Sequence, residues 1–87
     1  MKVTRQLVAE RLGGYLRGEW RLEEIVSWAE AVMAEGEFLE EDLAVVRDII
    51  ARLGVSDVAA FGLTWEDLRE MLARLGYRPQ VELEAAV

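Results

Sequence analysis

The fold is decided by the stretch Leu39–Gly54, which reads LEEDLAVVRDIIARLG. Apolar residues recur there in steps of four and three, the spacing that places them on one face of an α-helix. These positions are Leu39, Leu43, Val46, Ile50 and Leu53, with Val45 and Ile49 beside them. Acidic residues stand in the first turn and Arg52 in the last, as the helix dipole favours. The stretch predicts an amphipathic helix that ends at Gly54.

Three further helices follow from the same periodicity and from their end signals. Thr4 and Thr64 each precede an apolar stripe and are good N-cap residues. Gly18, Gly36 and Gly76 each follow the end of a stripe, where glycine commonly terminates a helix. The expected helices cover about residues 4–17, 22–35, 39–54 and 64–75, and one short helical turn is expected at 56–61.

Gly13 and Gly14 stand inside the first predicted helix. Each glycine in a helix costs about 1 kcal/mol relative to alanine. We therefore expect the helix to be broken or kinked at this pair. The alternative is a smooth patch that allows the backbone of another helix to approach closely.

The C-terminal residues predict an extended tail. Pro79 prevents the last helix from continuing, and Val81–Glu84 alternates apolar and acidic residues as a strand does. A lone strand is unstable in water. We expect this segment to pair with Lys2 and Val3, to pair with a second copy of itself, or to be frayed. The sequence thus predicts one helical domain at residues 1–78 and a tail at 79–87.

The chain of 87 residues is long enough for one hydrophobic core and too short for two. We predict an all-α fold, a compact bundle of four main helices with one short helical turn and a short extended C-terminal tail. The predicted core contains Leu12, Leu16, Ile25, Ala29, Val46, Ile50, Leu53, Leu68, Leu72 and Leu75. Because 53% of the residues are hydrophobic, self-association as a homodimer is one expectation.

Several chemistries lack the residues that they require. The chain has no His and no Cys, so a serine nucleophile has no histidine base and zinc has none of its usual ligands. The dense acidic group at 37–42 lacks the central glycine of a calcium loop. No glycine-rich phosphate loop follows a predicted strand. We therefore expect no catalytic residues, no cofactor and no metal site, and a protein that is not an enzyme.

The acidic charge is concentrated in one segment. Residues 19–42 hold nine acidic residues and one base, Arg21, for a net charge of −8, whereas the rest of the chain carries +1. Such a surface can be a solvated helix face that maintains solubility, or a landing surface for a basic protein partner. On the second interpretation the partner-binding residues are Glu19, Glu23, Glu24, Glu30, Glu37, Glu40, Glu41 and Asp42.

The same charge balance disfavours nucleic acid as a partner. Nucleic-acid binders need a basic stripe that displaces counterions from phosphate. The last helix instead begins with Glu66 and Asp67. No apolar run approaches the length of a membrane span, and residues 1–6 lack the apolar core of a signal peptide. We expect a cytoplasmic protein with no membrane partner.

One stretch resembles a known family. Residues 15–25, YLRGEWRLEEI, are similar to the opening of small all-helical bacterial immunity proteins of the colicin D type. In those proteins a helix ends in a Leu-x-x-Gly-like turn, and an acidic helix start follows. Trp20 stands where the family has an aliphatic residue, and Ile25 where an aromatic is usual. The resemblance implies a protein that neutralises a basic toxin through its acidic side chains.

Overall fold

The computed structural model describes residues 2–86 and contains a bundle of four α-helices, which confirms the predicted all-α fold. In chain order the elements are β1 (Lys2–Val3), α1 (Arg5–Leu16), α2 (Leu22–Glu35), β2 (Glu37–Phe38), α3 (Leu43–Gly54) and α4 (Trp65–Arg74). A 3₁₀ turn at Glu40–Asp42 leads into α3, and a second at Ala59–Phe61 lies within the predicted short turn. The predicted outer limits, residues 1 and 87, lie outside the described residues.

Both predicted threonine caps are confirmed. The Thr4 hydroxyl accepts a hydrogen bond from the backbone N–H of Leu7 at 3.0 Å. Thr64 accepts from the N–H of Asp67 at 3.1 Å, and the Asp67 carboxylate accepts from the N–H of Thr64 at 3.0 Å. These bonds satisfy backbone donors that have no partner inside a helix. They fix where α1 and α4 begin.

The helix α1 continues through Gly13 and Gly14, so the predicted break does not occur. A Cβ atom placed on Gly14 would lie 2.6 Å from Cδ1 of Trp20. The close neighbour is therefore an indole side chain from the α1–α2 loop and not, as the alternative supposed, the backbone of another helix. Glycine is required at position 14 because the indole lies against the helix backbone.

A two-residue parallel sheet ties the N-terminus to the segment after α2. Lys2 pairs with Glu37, and Val3 pairs with Phe38. Val3 is fully buried, and a Cβ atom on Gly36 would lie 2.7 Å from its Cγ2 atom. The proposed pairing of Lys2 and Val3 with the tail is therefore wrong, because β2 takes that position. Residues 77–86 form no strand within the described chain.

The core is formed where the inner faces of the four helices meet. Nine of the ten predicted core residues are buried, and the tenth, Leu16, packs half-buried against the cluster. The prediction omitted several buried residues, namely Val3, Val8, Ala9, Val26, Val32, Ile49 and Met71. Helices α2 and α3 form the most extensive helix pair.

Three apolar residues that continue the periodicity of their helices, and so would be expected on inner faces, are exposed instead. Met33, Leu43 and Trp65 retain 40%, 38% and 42% of their accessible surface. Each lies at or near a helix end, Met33 in the last turn of α2 and the other two at the first residue of α3 and α4. Periodicity identifies which face of a helix points inward. It does not indicate whether a neighbouring element reaches as far as the helix end.

None of the helices described within residues 2–86 combines the length and the hydropathy that crossing a membrane requires.

Candidate partner-binding surface

The acidic residues of segment 19–42 are distributed over four local structures. Glu19 lies in the α1–α2 loop, Glu37 in β2 and residues 40–42 in the 3₁₀ turn before α3. The others project from α2, whose inner face is occupied by Ile25, Val26, Ala29 and Val32. Glu23 and Glu30 lie about two turns apart along one flank of that face, and Glu24 lies along the other. The structure therefore spreads these acids around the outer surface of α2.

Three of the eight predicted binding residues have partners within the fold. Glu19 is paired with Arg17, and this hydrogen bond lowers the pKa of the Glu19 carboxyl. Glu24 accepts from the backbone N–H of Arg21 at 2.9 Å and so caps α2. Asp42 lies 2.6 Å from Nε of Arg5, and only 16% of its side chain is exposed. Of these three carboxylates, only Asp42 joins segments that are distant in the sequence.

The other five predicted residues face solvent. Glu23, Glu30, Glu37, Glu40 and Glu41 are exposed and make no salt bridge or side-chain hydrogen bond within residues 2–86. Glu35, which the prediction omitted, has the same properties. We call these six residues the acidic surface. The only base of the segment, Arg21, lies 3.8 Å from Glu24 and does not neutralise this surface.

Several basic side chains elsewhere are engaged inside the fold. Arg52 and Arg74 pair with Asp67 and Asp48, which links α3 to α4. The guanidinium of Arg11 lies 4.3 Å from the ring centre of Trp20 and 5.2 Å from that of Trp28. The Arg–Trp cluster attaches α1 to α2 and its preceding loop through cation–π contacts. It was not found from the sequence, because the three residues belong to no recognised spacing.

An apolar groove lies beside the acidic surface, between α2 and α3. It consists of two depressions of about 510 and 570 Å³ that share Met33 and Ala51 in their walls. The first extends to Val55 and the second to Leu43. The remaining lining residues are Ala29, Glu30, Ala34, Glu40, Ala44, Arg47, Asp48, Ile50 and Gly54. We call this feature the α2–α3 groove.

The described acids do not converge on a point. Within residues 2–86, no group of three or more acidic side chains is placed to hold a metal ion. The carboxylates of the acidic surface instead point outward from different elements. Such an arrangement is suited to contacting an extended, positively charged surface.

Comparison with known proteins identifies no relative. No protein-family model matches the chain, and neither the curated proteins nor the solved structures include a match. The similarity of residues 15–25 to the colicin D immunity proteins therefore rests on that stretch of sequence.

Proposed function

We propose that this protein is a protein–protein interaction module that binds a basic partner through its acidic surface, in the manner of an immunity protein or antitoxin. The observation that carries the proposal is the set of six exposed carboxylates, Glu23, Glu30, Glu35, Glu37, Glu40 and Glu41, with no base paired to any of them in the described chain. Six unpaired like charges on a small domain attract the opposite charge and speed its arrival.

The neighbouring architecture supports this use. The acidic surface lies on α2, β2 and the turn into α3, which are joined by the most extensive helix pair and by the β1–β2 pairing. The carboxylates are therefore presented on a packed scaffold. Binding to a scaffold of this kind requires little ordering of the backbone, which lowers the entropic cost of association.

A charge-reversal experiment tests the proposal. The variant Glu23→Lys, Glu30→Lys, Glu41→Lys changes three exposed residues of the acidic surface. The matched control, Glu70→Lys, Glu82→Lys, Glu84→Lys, changes the net charge equally at exposed positions elsewhere. The wild type is used to capture partners from an extract of the source cells, and the captured proteins are identified. We expect the captured proteins to be basic. The Glu70, Glu82, Glu84 control should retain them, and the Glu23, Glu30, Glu41 variant should lose them. Equal retention by both variants would contradict the proposal.

Self-association is a second candidate function, and the tail favours it. Val81 and Leu83 keep 67% and 93% of their surface exposed and belong to no element of the described chain. Analytical ultracentrifugation of the full chain and of a chain ending at Pro79 tests this candidate. A dimer that dissociates in the shortened chain would support it. A monomer at all concentrations would exclude it.

A further inference from the structure

We infer that the α2–α3 groove is the seat of an amphipathic helix supplied by the basic partner, with its apolar ridge on the groove floor and Lys or Arg side chains at the rim. The inference rests on the proposed function and extends it, since it assigns the apolar half of the interface and the secondary structure of the partner segment.

The shape of the groove supports a helical occupant. The groove runs along α3 from Leu43 to Val55, twelve residues apart, which corresponds to roughly 18 Å of helix axis. About three turns of a partner helix would span that length. The lining between these ends includes four small residues, Ala44, Ala51 and Gly54 on α3 and Ala34 on α2. Small side chains at these positions allow another helix to approach closely.

The apolar character of the groove is unusual for a surface that meets only water. Met33, Leu43 and Val55 retain 40%, 38% and 43% of their accessible surface, and all three line the groove. Apolar side chains grouped along one depression indicate an interaction surface more than scattered exposed ones do. The flexible thioether of Met33, shared by both depressions, can adapt to the occupant.

The charges at the rim select a basic occupant. Three carboxylates, Glu30, Glu40 and Asp48, and one guanidinium, Arg47, line the groove. Asp48 forms a salt bridge with Arg74 at 2.6 Å. The net charge of the groove lining remains negative even when Asp48 is counted as neutralised. Two of the rim residues, Glu30 and Glu40, also belong to the acidic surface. A basic helix would satisfy both while its apolar ridge covers Met33.

The same charges disfavour the tail of a second copy as the occupant. Its apolar residues Val81 and Leu83 alternate with Glu82 and Glu84. Those carboxylates would approach Glu30 and Glu40, and only Arg47 could offset the repulsion. The groove therefore fits a basic segment better than a second copy of this chain.

Two defined peptides serve as probes. One is a fluorescently labelled amphipathic helix of about four turns, built from Leu and Lys so that the leucines form one stripe. The other has the same composition in an order that removes the stripe. Fluorescence anisotropy measures their affinity for the full-length protein. We expect the amphipathic peptide to bind at least about tenfold more tightly, because only it presents an apolar ridge.

A pair of variants locates the binding site. Ala51→Gln fills the groove floor without a change of charge, and Ala73→Gln makes the same change on α4, away from the groove; both alanines are exposed. Overpacking an apolar contact typically costs about 1–3 kcal/mol, so we expect Ala51→Gln to weaken binding of the amphipathic peptide by about tenfold or more and Ala73→Gln to leave it unchanged.

Methyl NMR supplies an independent readout. Met33 lies in the groove, whereas Met71 is buried in α4. We expect the amphipathic peptide to shift the Met33 methyl signal and to leave that of Met71 in place. Equal affinity of Ala51→Gln and Ala73→Gln for the amphipathic peptide would overturn the inference. So would a Met33 methyl signal that does not move when this peptide is added. So would a Met33 signal that moves with protein concentration alone, since a second copy would then occupy the groove.

The failure of this inference can be separated from failure of the proposed function. If the Glu23, Glu30, Glu41 reversal weakens binding of both peptides but Ala51→Gln has no effect, the acidic surface binds basic partners and the groove assignment is wrong. If neither peptide binds but the Glu23, Glu30, Glu41 reversal still loses a captured basic protein, the groove assignment alone fails. If the amphipathic peptide is sensitive to the reversal and to Ala51→Gln, both are supported.

Discussion

The indole of Trp20 lies directly on Gly14 of α1, so close that a Cβ atom on this glycine would be 2.6 Å from Cδ1 of the indole. The guanidinium of Arg11, also on α1, lies 4.3 Å from the ring centre of Trp20. The indole thus contacts both the bare backbone of Gly14 and a cation from the same helix. This contact sets the path of the loop that carries Glu19 and leads into α2.

Alanine substitutions at the adjacent glycines are expected to have opposite effects. In Gly14→Ala the added methyl group would displace the indole, and such overpacking costs about 1–3 kcal/mol in stability. This cost would exceed the gain in helix propensity, which is about 1 kcal/mol. In Gly13→Ala the nearest atom is Nη1 of Arg17 at 3.1 Å, the end of a flexible exposed side chain. That variant should gain up to about 1 kcal/mol.

Urea denaturation of the two variants and the wild type measures this difference. We expect a net loss of about 1 kcal/mol in the free energy of unfolding for Gly14→Ala. Stabilisation of both variants would show that Trp20 does not rest on Gly14 in solution.

The two ends of the helices illustrate what sequence patterns can establish. Thr4 and Thr64 are recognisable because capping depends on a residue's own hydroxyl and the next few amides. Gly18 and Gly76 are recognisable for a similar reason, as their φ angles of 79° and 93° are ones that glycine adopts readily. Such features are local, so the positions of helices followed from the sequence.

Contacts between distant residues could not be predicted in this way. The pairing of Val3 with Phe38 and the salt bridge of Arg5 to Asp42 join the N-terminus to the region after α2. Neither pair has a characteristic spacing. The prediction of the partner-binding residues was limited in the same way. The sequence showed that Asp42 is acidic but not that Arg5 forms a salt bridge with it. The apolar groove was missed because Met33 and Leu43 follow the core periodicity.

The pH dependence of stability should report on the cap of α4. The backbone hydrogen bond from Thr64 lowers the pKa of Asp67, helped by the Thr64 side chain and by the charge of Arg52. A carboxyl group whose pKa is lower in the folded state than in the unfolded state stabilises the fold. This stabilisation is present at pH values above the unfolded pKa, which is about 3.9 for aspartate, and it is lost as the pH falls through the folded pKa.

Asp67→Asn removes this titration. We expect the wild type to lose stability relative to the variant as the pH is lowered from about 4, since only the wild type carries the Asp67 contribution that acid removes. Thermal unfolding midpoints across that range provide the measurement. Curves for the two proteins that run parallel through the acid range would exclude the assigned role of Asp67.

Arg52 is expected to hold the connection between α3 and α4. Its guanidinium donates to the carbonyl oxygens of Phe61 at 2.6 Å and Gly62 at 3.1 Å, and reaches Asp67 at 3.4 Å. Loss of these charged hydrogen bonds in Arg52→Met should lower the free energy of unfolding by roughly 1–2 kcal/mol.

Amide hydrogen exchange distinguishes this role from a general loss of charge. We expect faster exchange in residues 55–63 of Arg52→Met. Arg47→Met removes the same charge from an exposed position of α3 and should change stability by less than about 0.5 kcal/mol. Unchanged exchange in residues 55–63 would mean that Arg52 does not fix the loop.

We propose that the unpaired carboxylates of Glu23, Glu30, Glu35, Glu37, Glu40 and Glu41 attract a basic protein. The most direct test is the association rate constant for a captured basic partner, measured by stopped-flow fluorescence from about 50 to about 300 mM salt. We expect it to fall by about tenfold or more across that range for the wild type and for the Glu70, Glu82, Glu84 reversal. For the Glu23, Glu30, Glu41 reversal we expect a slow rate with little salt dependence. A rate constant that is the same for all three proteins and insensitive to salt would contradict the claim.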